Sequence, residues 1–376
     1  MQKSICHITT VHPRYDGRVF EKECISLVRE GFAVYLIVAD GKNNEVVDGV
    51  NIIDVGKSRF GRFGRLFFGS IGSLVCAIRI KADIYHFHDP ELIPSGLILK
   101  VIGRKVVYDI HENLPLQILH KHWIPKYFRT FFSKIFSTIE FVFCRYFDSL
   151  VVPQPSMKTS YCSINPNTEL VANFVDISRI NEDFTINDNK PLAVKRLVHL
   201  GALTEERGIF NMLNVMSELD SSYSLTLAGV INNPKTKEKS EVHKSWDKVS
   251  YKGILTKEEV EVIYSESNLG LILYNNVGQY YLSYAIKLFE FMSKGIPVIM
   301  PNFGEWPKFN EQYQVGICVD VSNPKEIAQR IEQLLCDPVR MNRYSVNGIN
   351  AIKNKFNWDL EVKKLVEVYR GILNEN

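Results

Sequence analysis

Two doubly wound α/β domains are the fold that this sequence predicts, and three observations predict it. Short, continuously apolar runs alternate with helix-period segments along the first half; the same alternation restarts near residue 196; and a polar stretch over 176–192 separates the two series. Apolar strands with intervening helices indicate a parallel sheet covered on both faces. A length of 376 residues suits about two to three domains. Ligands of such sheets bind beyond the carboxyl ends of the strands. With two of them, the expected site is a central cleft that both domains face.

The elements follow in order. Ser4 to Thr10 reads as the first strand, and Val19 to Glu30 as a helix stopped by Gly31. Ala33 to Ala39, Ile84 to Phe87, Lys105 to Ile110, Leu150 to Pro153 and Glu169 to Ala172 read as further strands. The polar stretch, with Asn181, Asp183, Asn187, Asp188, Asn189 and Pro191, has a linker's composition. The second series has strands at Arg196 to Leu200, Ser224 to Ala228, Val249 to Lys252, Leu269 to Leu273 and Pro297 to Met300. Its helices are Gly208 to Leu219, Lys257 to Glu266, Ile286 to Lys294 and Pro324 to Cys336, and a last helix, Asp359 to Leu373, follows both series. The expected domains are 1–175 with the closing helix in 357–376, and 176–356.

Composition excludes several classes. At 45% hydrophobic and 23% charged the chain is neither disordered nor a fibrous repeat. A net charge of +3 gives no basis for a nucleic-acid partner. The seven cysteines, at 6, 24, 76, 144, 162, 318 and 336, form no CxxC pair. Neither a zinc site nor a disulfide framework is indicated, and a reducing compartment is expected. GxGxxG, the P-loop pattern and Asp-x-Asp are absent, which speaks against a nicotinamide enzyme and against a metal-held diphosphate.

The N-terminus lacks a signal-peptide apolar segment, and Leu66 to Ile78 is too short to span a bilayer, which takes about 20 residues. Two segments nevertheless suit a membrane surface. Residues 57–81 carry Lys57, Arg59, Arg62, Arg65, Arg79 and Lys81 without an acid, interleaved with Phe60, Phe63, Phe67 and Phe68. Residues 117–147 hold Trp123 and a series of Phe and Tyr residues. There Ile124, Phe128, Phe131, Ile135, Ile139 and Val142 share one helical face, widened by Phe132, Phe136 and Phe141, with Lys126 and Arg129 roughly opposite. Two readings stay open: a core-facing helix, or one that lies at an anionic bilayer interface.

The chemistry-bearing segment is YLSYAIKLFEFMSKGIPVIMP, residues 281–301. Lys287 and Glu290 stand three apart on one helical face, near a helix N-terminus whose amides and dipole suit phosphate. A carboxylate at Glu290 can accept bonds from two ribose hydroxyls; the competing reading is a surface salt bridge. In HLGALTEERGIFNML, residues 199–213, Arg207 precedes Gly208 where a helix opens, and its planar fork suits bidentate phosphate contact.

The segment 281–301 resembles the retaining glycosyltransferases of family four, whose fold is GT-B. Gly295-Ile296-Pro297-Val298 matches their "GxPV", and Glu290 matches the second Glu of their signature. The first Glu is replaced by Leu282, as in the subgroup with "NKLFEYM", here Ile286 to Met292. HLGALTEERG matches their strand, Gly-Arg-Leu and Lys-Gly, with Ala202 for the Arg and Arg207-Gly208 for the Lys-Gly. HPRYDGRVFEKECISLVREGFAVYLI (12–37), HFHDPEL (86–92), VVYDIHEN (106–113), Asn173-Phe174 and Phe356-Asn357-Trp358 match further family segments in order.

The resemblance implies a GT-B enzyme that moves a sugar, with retention, from a nucleoside-diphosphate donor, without a cofactor or a required metal. His111, Glu290, Arg207 and Lys287 are the groups it places at the reacting centre. Gly17, Gly201, Gly229, Ile254, Ser283, Tyr284, Ala285, Ile286 and Leu288 would bind the donor with Arg207, Lys287 and Glu290. Asp16, Arg18, His88, Asp89 and Glu112 would lie on the acceptor side. The basic aromatic segments add an expected lipid-linked acceptor at the inner face of a bacterial membrane, in O-antigen or capsule synthesis. A GT-B epimerase, a phosphorylase and a non-catalytic nucleotide-sugar-binding protein are the alternatives. Structural roles compete at single residues: loop bonding or helix capping for Asp89 and Asp109, a plain turn for Asp16, a loop salt bridge for Glu112, and plain hydrogen bonding for His86, His88 and His111.

Overall fold

Buried β-branched and aromatic runs become strands, and the amphipathic segments between them become the covering helices. The computed structural model describes residues 2–57, 69–120, 124–180, 194–281 and 284–374. Leu282, Ser283, Trp123, Arg59, Phe60, Arg62, Phe63, Arg65, Phe67, Phe68 and the expected linker beyond Ile180 lie outside the described residues. The chain divides into two units, Met1–Asn173 with Trp358–Asn376, and Phe174–Asn357.

The first unit has eight strands: β1 (Ser4–Ile8), β2 (Ala33–Val38), β3 (Glu45–Val47), β4 (Val50–Asp54), β5 (Ile84–Phe87), β6 (Lys105–Asp109), β7 (Ser149–Val152) and β8 (Thr168–Leu170). Their order is β3-β4-β2-β1-β5-β6-β7-β8, parallel except where β3 runs against β4. The order reverses at β1, so the carboxyl ends of β1 and β5 form a switch point, with Ile8 opposite Phe87. Strands β3 and β4 are additions to the predicted set. One face of the sheet is covered by the first helical stretch and by the last helix, Trp358–Asn374, through Trp358, Leu365 and Tyr369. Trp358 Nε1 donates to Lys22 O and Ser26 Oγ at 3.1 and 2.9 Å, and Glu361 accepts from the Ala172 amide at 2.7 Å. The other face packs Tyr85, Phe87, Tyr108 and Phe147.

The second unit is a six-stranded parallel sheet: β9 (Lys195–Leu200), β10 (Tyr223–Ala228), β11 (Val249–Tyr251), β12 (Leu269–Leu271), β13 (Val298–Pro301) and β14 (Gly316–Val319). The order is β11-β10-β9-β12-β13-β14, with the switch between β9 and β12. Strand β14 and the helices Pro234–Glu241, Trp306–Tyr313 and Pro338–Asn354 are elements that the periodicity did not predict. The expectation of two doubly wound α/β domains is met. Among the described residues no helix is long and apolar enough to cross a membrane.

The helix Lys126–Phe143 corrects a simple core-facing reading. Phe128, Phe131, Phe132, Ile135, Phe141 and Val142 are exposed, whereas Ile124 is buried and Ile139 packs on the core. Its most deeply buried side chain is an acid, Glu140, bonded by the Tyr161 hydroxyl at 2.9 Å.

Candidate active site

In the second unit the site grows from the carboxyl end of β9. The chain leaves the strand through Gly201 at φ +129°, and its N–H donates to Ala228 O at 2.8 Å. A Cβ on Gly201 would stand 3.3 Å from Lys287 Cε and 3.7 Å from Arg207 Nη1. Two cations from separate elements therefore flank one glycine. Arg207 is fixed through Nε, which donates to Tyr280 at 3.2 Å, and through its amide on Thr204 Oγ1. The loop itself is tied down from β12: Asn275 accepts Asn211 Nδ2 at 2.9 Å and donates to Glu205 O at 2.6 Å. Gly208, at φ +74°, opens the helix Ile209–Glu218 where a Cβ would meet Leu273 O at 1.8 Å.

The helix Ile286–Ser293 begins at Ala285, which offers no side-chain acceptor to the first-turn amides. Leu288 of this helix is buried in the core, and Tyr284, just before it, packs on Phe309 and Trp306. Lys287 Nζ lies 2.6 Å from Glu290 Oε2, and the Tyr264 hydroxyl donates to the same oxygen at 2.5 Å. The surface-pair reading is thus met in part: the pair forms. It is half-buried, however, and joined by a tyrosine that the sequence reading missed. Glu290 and Lys287 line a pocket with Val175, Leu255, Thr256 and Tyr264.

His199, inside β9, is a second residue that was missed. It is fully buried, and its Nδ1 donates to Leu271 O at 2.7 Å. Burial, with the nearby charges of Lys287 and Arg207, lowers its pKa to about 4, so it stays neutral under the two cations. A histidine in the middle of a buried strand needs a polar partner, and that was the available signal. Gly229 is dictated by backbone: at φ +131° a Cβ would strike Gly201 O at 1.8 Å, and its N–H already donates to Gly253 O. Ile254, by contrast, is 81% exposed.

In the first unit the carboxyl ends of β1, β5 and β6 bring His7, His86, His88, Asp109 and His111 together. Asp109 is buried and held by Arg18 through Nε and Nη2 at 3.1 and 3.0 Å. Burial alone would raise its pKa, but Arg18 and His111 hold it well below the usual carboxylate range. Glu23, beside it, is raised by burial and by the Asp109 charge, against the opposing pull of Arg18. His111 is the partly exposed member, with Nε2 at 3.4 Å from Asp109 and 3.0 Å from His88 Nδ1. His12 packs against it at 4.6 Å between ring centroids.

The residues expected on the acceptor side divide between the interior and the surface. Arg18, His88 and Asp89 are interior, at 5, 2 and 2% exposure. Arg18 serves Asp109, Glu23 and Val171 O. Asp89 binds its own neighbourhood, accepting from Thr9 Oγ1 at 2.9 Å and the Thr10 amide at 2.6 Å. Asp16 accepts the amides of Arg18 and Val19 at the start of the helix. Gly17 is exposed and Glu112 contacts Gln117, so both stay at the surface.

Comparison with known proteins bears on the two sheets. The family described as glycosyl transferases group 1 matches residues 180–351, and that described as glycosyltransferase family 4 matches 17–179. An uncharacterized glycosyltransferase of Methanocaldococcus jannaschii is 23% identical over 58% of this chain and 55% of its own length, so the chain spans about half of that relative. Sucrose-phosphate synthase of Thermosynechococcus elongatus shares the fold over 100% of both chains, with a TM-score of 0.78 at 15% identity. The Anabaena protein HepE, solved with UDP and glucose, covers 98% of this chain and 100% of its own, with a TM-score of 0.73 at 13% identity. Residues 17–179 match one glycosyltransferase family and residues 180–351 another, and the chain is folded as GT-B proteins are, so both of its domains are of glycosyltransferase type.

Proposed function

We propose that this protein is a retaining, sugar-nucleotide-dependent transferase whose acceptor is a lipid-linked glycan, in bacterial O-antigen or capsule synthesis at the inner face of the cytoplasmic membrane. The observation that carries the donor half is the convergence of Arg207 and Lys287 on Gly201, beside the uncapped start of the helix Ile286–Ser293. Two cations and a helix N-terminus suit a diphosphate, and charge-assisted bonds of this kind contribute about 1.5–3 kcal/mol each. Glu290, braced by Tyr264 and Lys287, is assigned to the ribose hydroxyls. The backbone of Tyr284 and Ala285 is assigned to the sugar side, and His111 is assigned to the sugar itself. Preorganised donors of this type stabilise charge that develops on the departing diphosphate. The leaving phosphate takes the acceptor proton on the same face, so no side-chain nucleophile is required. HepE, with UDP and glucose bound, supports trying uridine donors first.

A thermal-shift panel of UDP-, GDP-, ADP- and CDP-sugars tests the donor. The correct one, at about 100 times its dissociation constant, stabilises the protein by roughly 2.7 kcal/mol. Glu290→Ala and Arg207→Ala should each abolish most of that shift and most transfer while the unliganded melting point stays put. Near-normal turnover in both variants sinks the assignment. The acceptor half rests on the exposed aromatic face of Lys126–Phe143 together with Lys126, Lys134 and Arg145. The protein should float with vesicles containing anionic phosphatidylglycerol and much less with neutral ones; failure to float with either removes the argument for a lipid acceptor.

A further inference from the structure

Under His111 lies a row of buried rings that the transfer chemistry leaves unused. His88 Nδ1 stands 3.0 Å from His111 Nε2, and His88 Nε2 stands 2.9 Å from His7 Nδ1. His7 Nε2 faces the Tyr369 hydroxyl at 3.5 Å, and that hydroxyl is bonded to His86 Nδ1. His7, His86 and Tyr369 are wholly buried, and His88 nearly so. Tyr369 belongs to the last helix, while the histidines stand on or just beyond β1, β5 and β6.

The alternative occupant of such a cluster is a metal ion, because His7, Glu23, His86 and His88 have donor atoms within 4.8 Å of one another. The geometry favours a proton. The His7 and His88 rings tilt by 15° with centroids 5.2 Å apart, which is the arrangement of two imidazoles laid end to end along an N–H···N bond. Zn–N bonds of about 2.0–2.1 Å set tetrahedrally put two nitrogens about 3.3 Å apart, wider than the 2.9 Å seen here. Arg18 Nε, 3.0 Å from Glu23 Oε1, also places a fixed cation on the one carboxylate of the set.

Each neutral imidazole has one N–H and one lone pair, so a row of them runs head to tail in one of two directions. Asp109 selects the direction. Its Oδ2 lies 3.4 Å from His111 Nε2, 3.6 Å from His88 Nδ1 and 4.0 Å from His86 Nε2. One direction turns N–H groups toward the carboxylate at His111 and His86; the other does so only at His88. In the first direction His7 Nε2–H donates to Tyr369, whose own O–H donates to His86, so the hydroxyl serves both neighbours. We propose that His88, His7 and Tyr369 are positioning residues that lock His111 with its proton on Nε2 and its lone pair on Nδ1, as an acceptor for a sugar hydroxyl. The last clause rests on the donor reading above; the locked tautomer does not.

The test uses the full chain labelled with ¹⁵N-histidine, whose long-range ¹H–¹⁵N spectra report each ring's tautomer. His111 should show the single Nε2–H form. Tyr369→Phe, which removes only the hydroxyl that joins His7 to His86, and His88→Asn, whose amide stands where Nδ1 stood, should each lose the single form and give a mixture. A mixture or an Nδ1–H form in the unaltered protein overturns the proposal, as does an unchanged His111 in both variants. Zinc that shifts His7, His86 and His88 together, reversed by chelator, overturns it in favour of a metal site. Added UDP-glucose should move the His111 signals; if it does not while the tautomer is locked and lost as described, the row stands and the donor assignment of His111 fails.

Discussion

At the residue scale, two glycines separate backbone demand from ligand demand. Gly208 needs its φ of +74°, and a Cβ there would overlap Leu273 O. Gly208→Ala should cost at least about 2 kcal/mol in denaturant unfolding and should weaken nucleotide binding, because the strain falls on the loop that aims Arg207. Gly17 has nothing within 4 Å of a built Cβ, so Gly17→Ala should change stability by no more than about 0.5 kcal/mol. If that variant nevertheless loses the donor-induced thermal shift, Gly17 meets a ligand. The same scale shows what the sequence made legible. Lys287, Glu290 and Arg207 were readable because each sits where a strand hands over to a helix, and such junctions have a recognisable grammar of Gly and charge. Tyr264, Tyr280, His7 and Tyr369 were not readable. They meet their partners across 26 or more residues, and only the folded sheet brings them within bonding distance.

At the scale of elements, legibility followed burial. The central strand β5 was predicted to the residue and its central neighbours to within a residue or two, because a strand covered on both faces is mostly apolar. The edge strands β3 and β14 are three and four residues long, and β3 and β4 carry Glu45, Asn51 and Asp54. Those polar residues blur period two in β3 and β4, whereas β14 is mostly buried and was missed for its shortness. The helix Lys126–Phe143 shows the converse: its apolar stripe was read correctly, but the stripe does not say what covers it. Its inward anchor, Glu140, gives a pH test. Burial raises this acid to about 7 from 4.5, although the Tyr161 bond opposes the rise. The folded state therefore holds a proton that the unfolded chain has released. Stability from Glu140 is complete below about pH 4.5 and is lost as the pH climbs through about 7, by roughly 3 kcal/mol. Urea unfolding between pH 4.5 and 8 should show that decline in the native protein, and Glu140→Gln should remove it.

At the scale of the whole molecule, the two units are built differently in sequence. The second is one continuous stretch, Phe174–Asn357, with cores on both faces of its sheet. The first is discontinuous and draws Trp358, Val362, Leu365, Val366, Tyr369 and Ile372 from the chain's end. Each of these side chains contributes about 1.5–3 kcal/mol on burial. Together they supply roughly 10 kcal/mol or more, comparable to the whole stability of a domain. A chain ending at Asn357 should therefore lose its first unit to limited proteolysis and leave a resistant fragment near Phe174–Asn357. That fragment carries Arg207, Lys287, Tyr264 and Glu290, so it should keep the nucleotide-dependent thermal shift without any transfer. Loss of both units on truncation would mean that the second sheet does not fold unaided. A surviving first unit would mean that the closing helix is ornament, and that Tyr369 has no hold on His111.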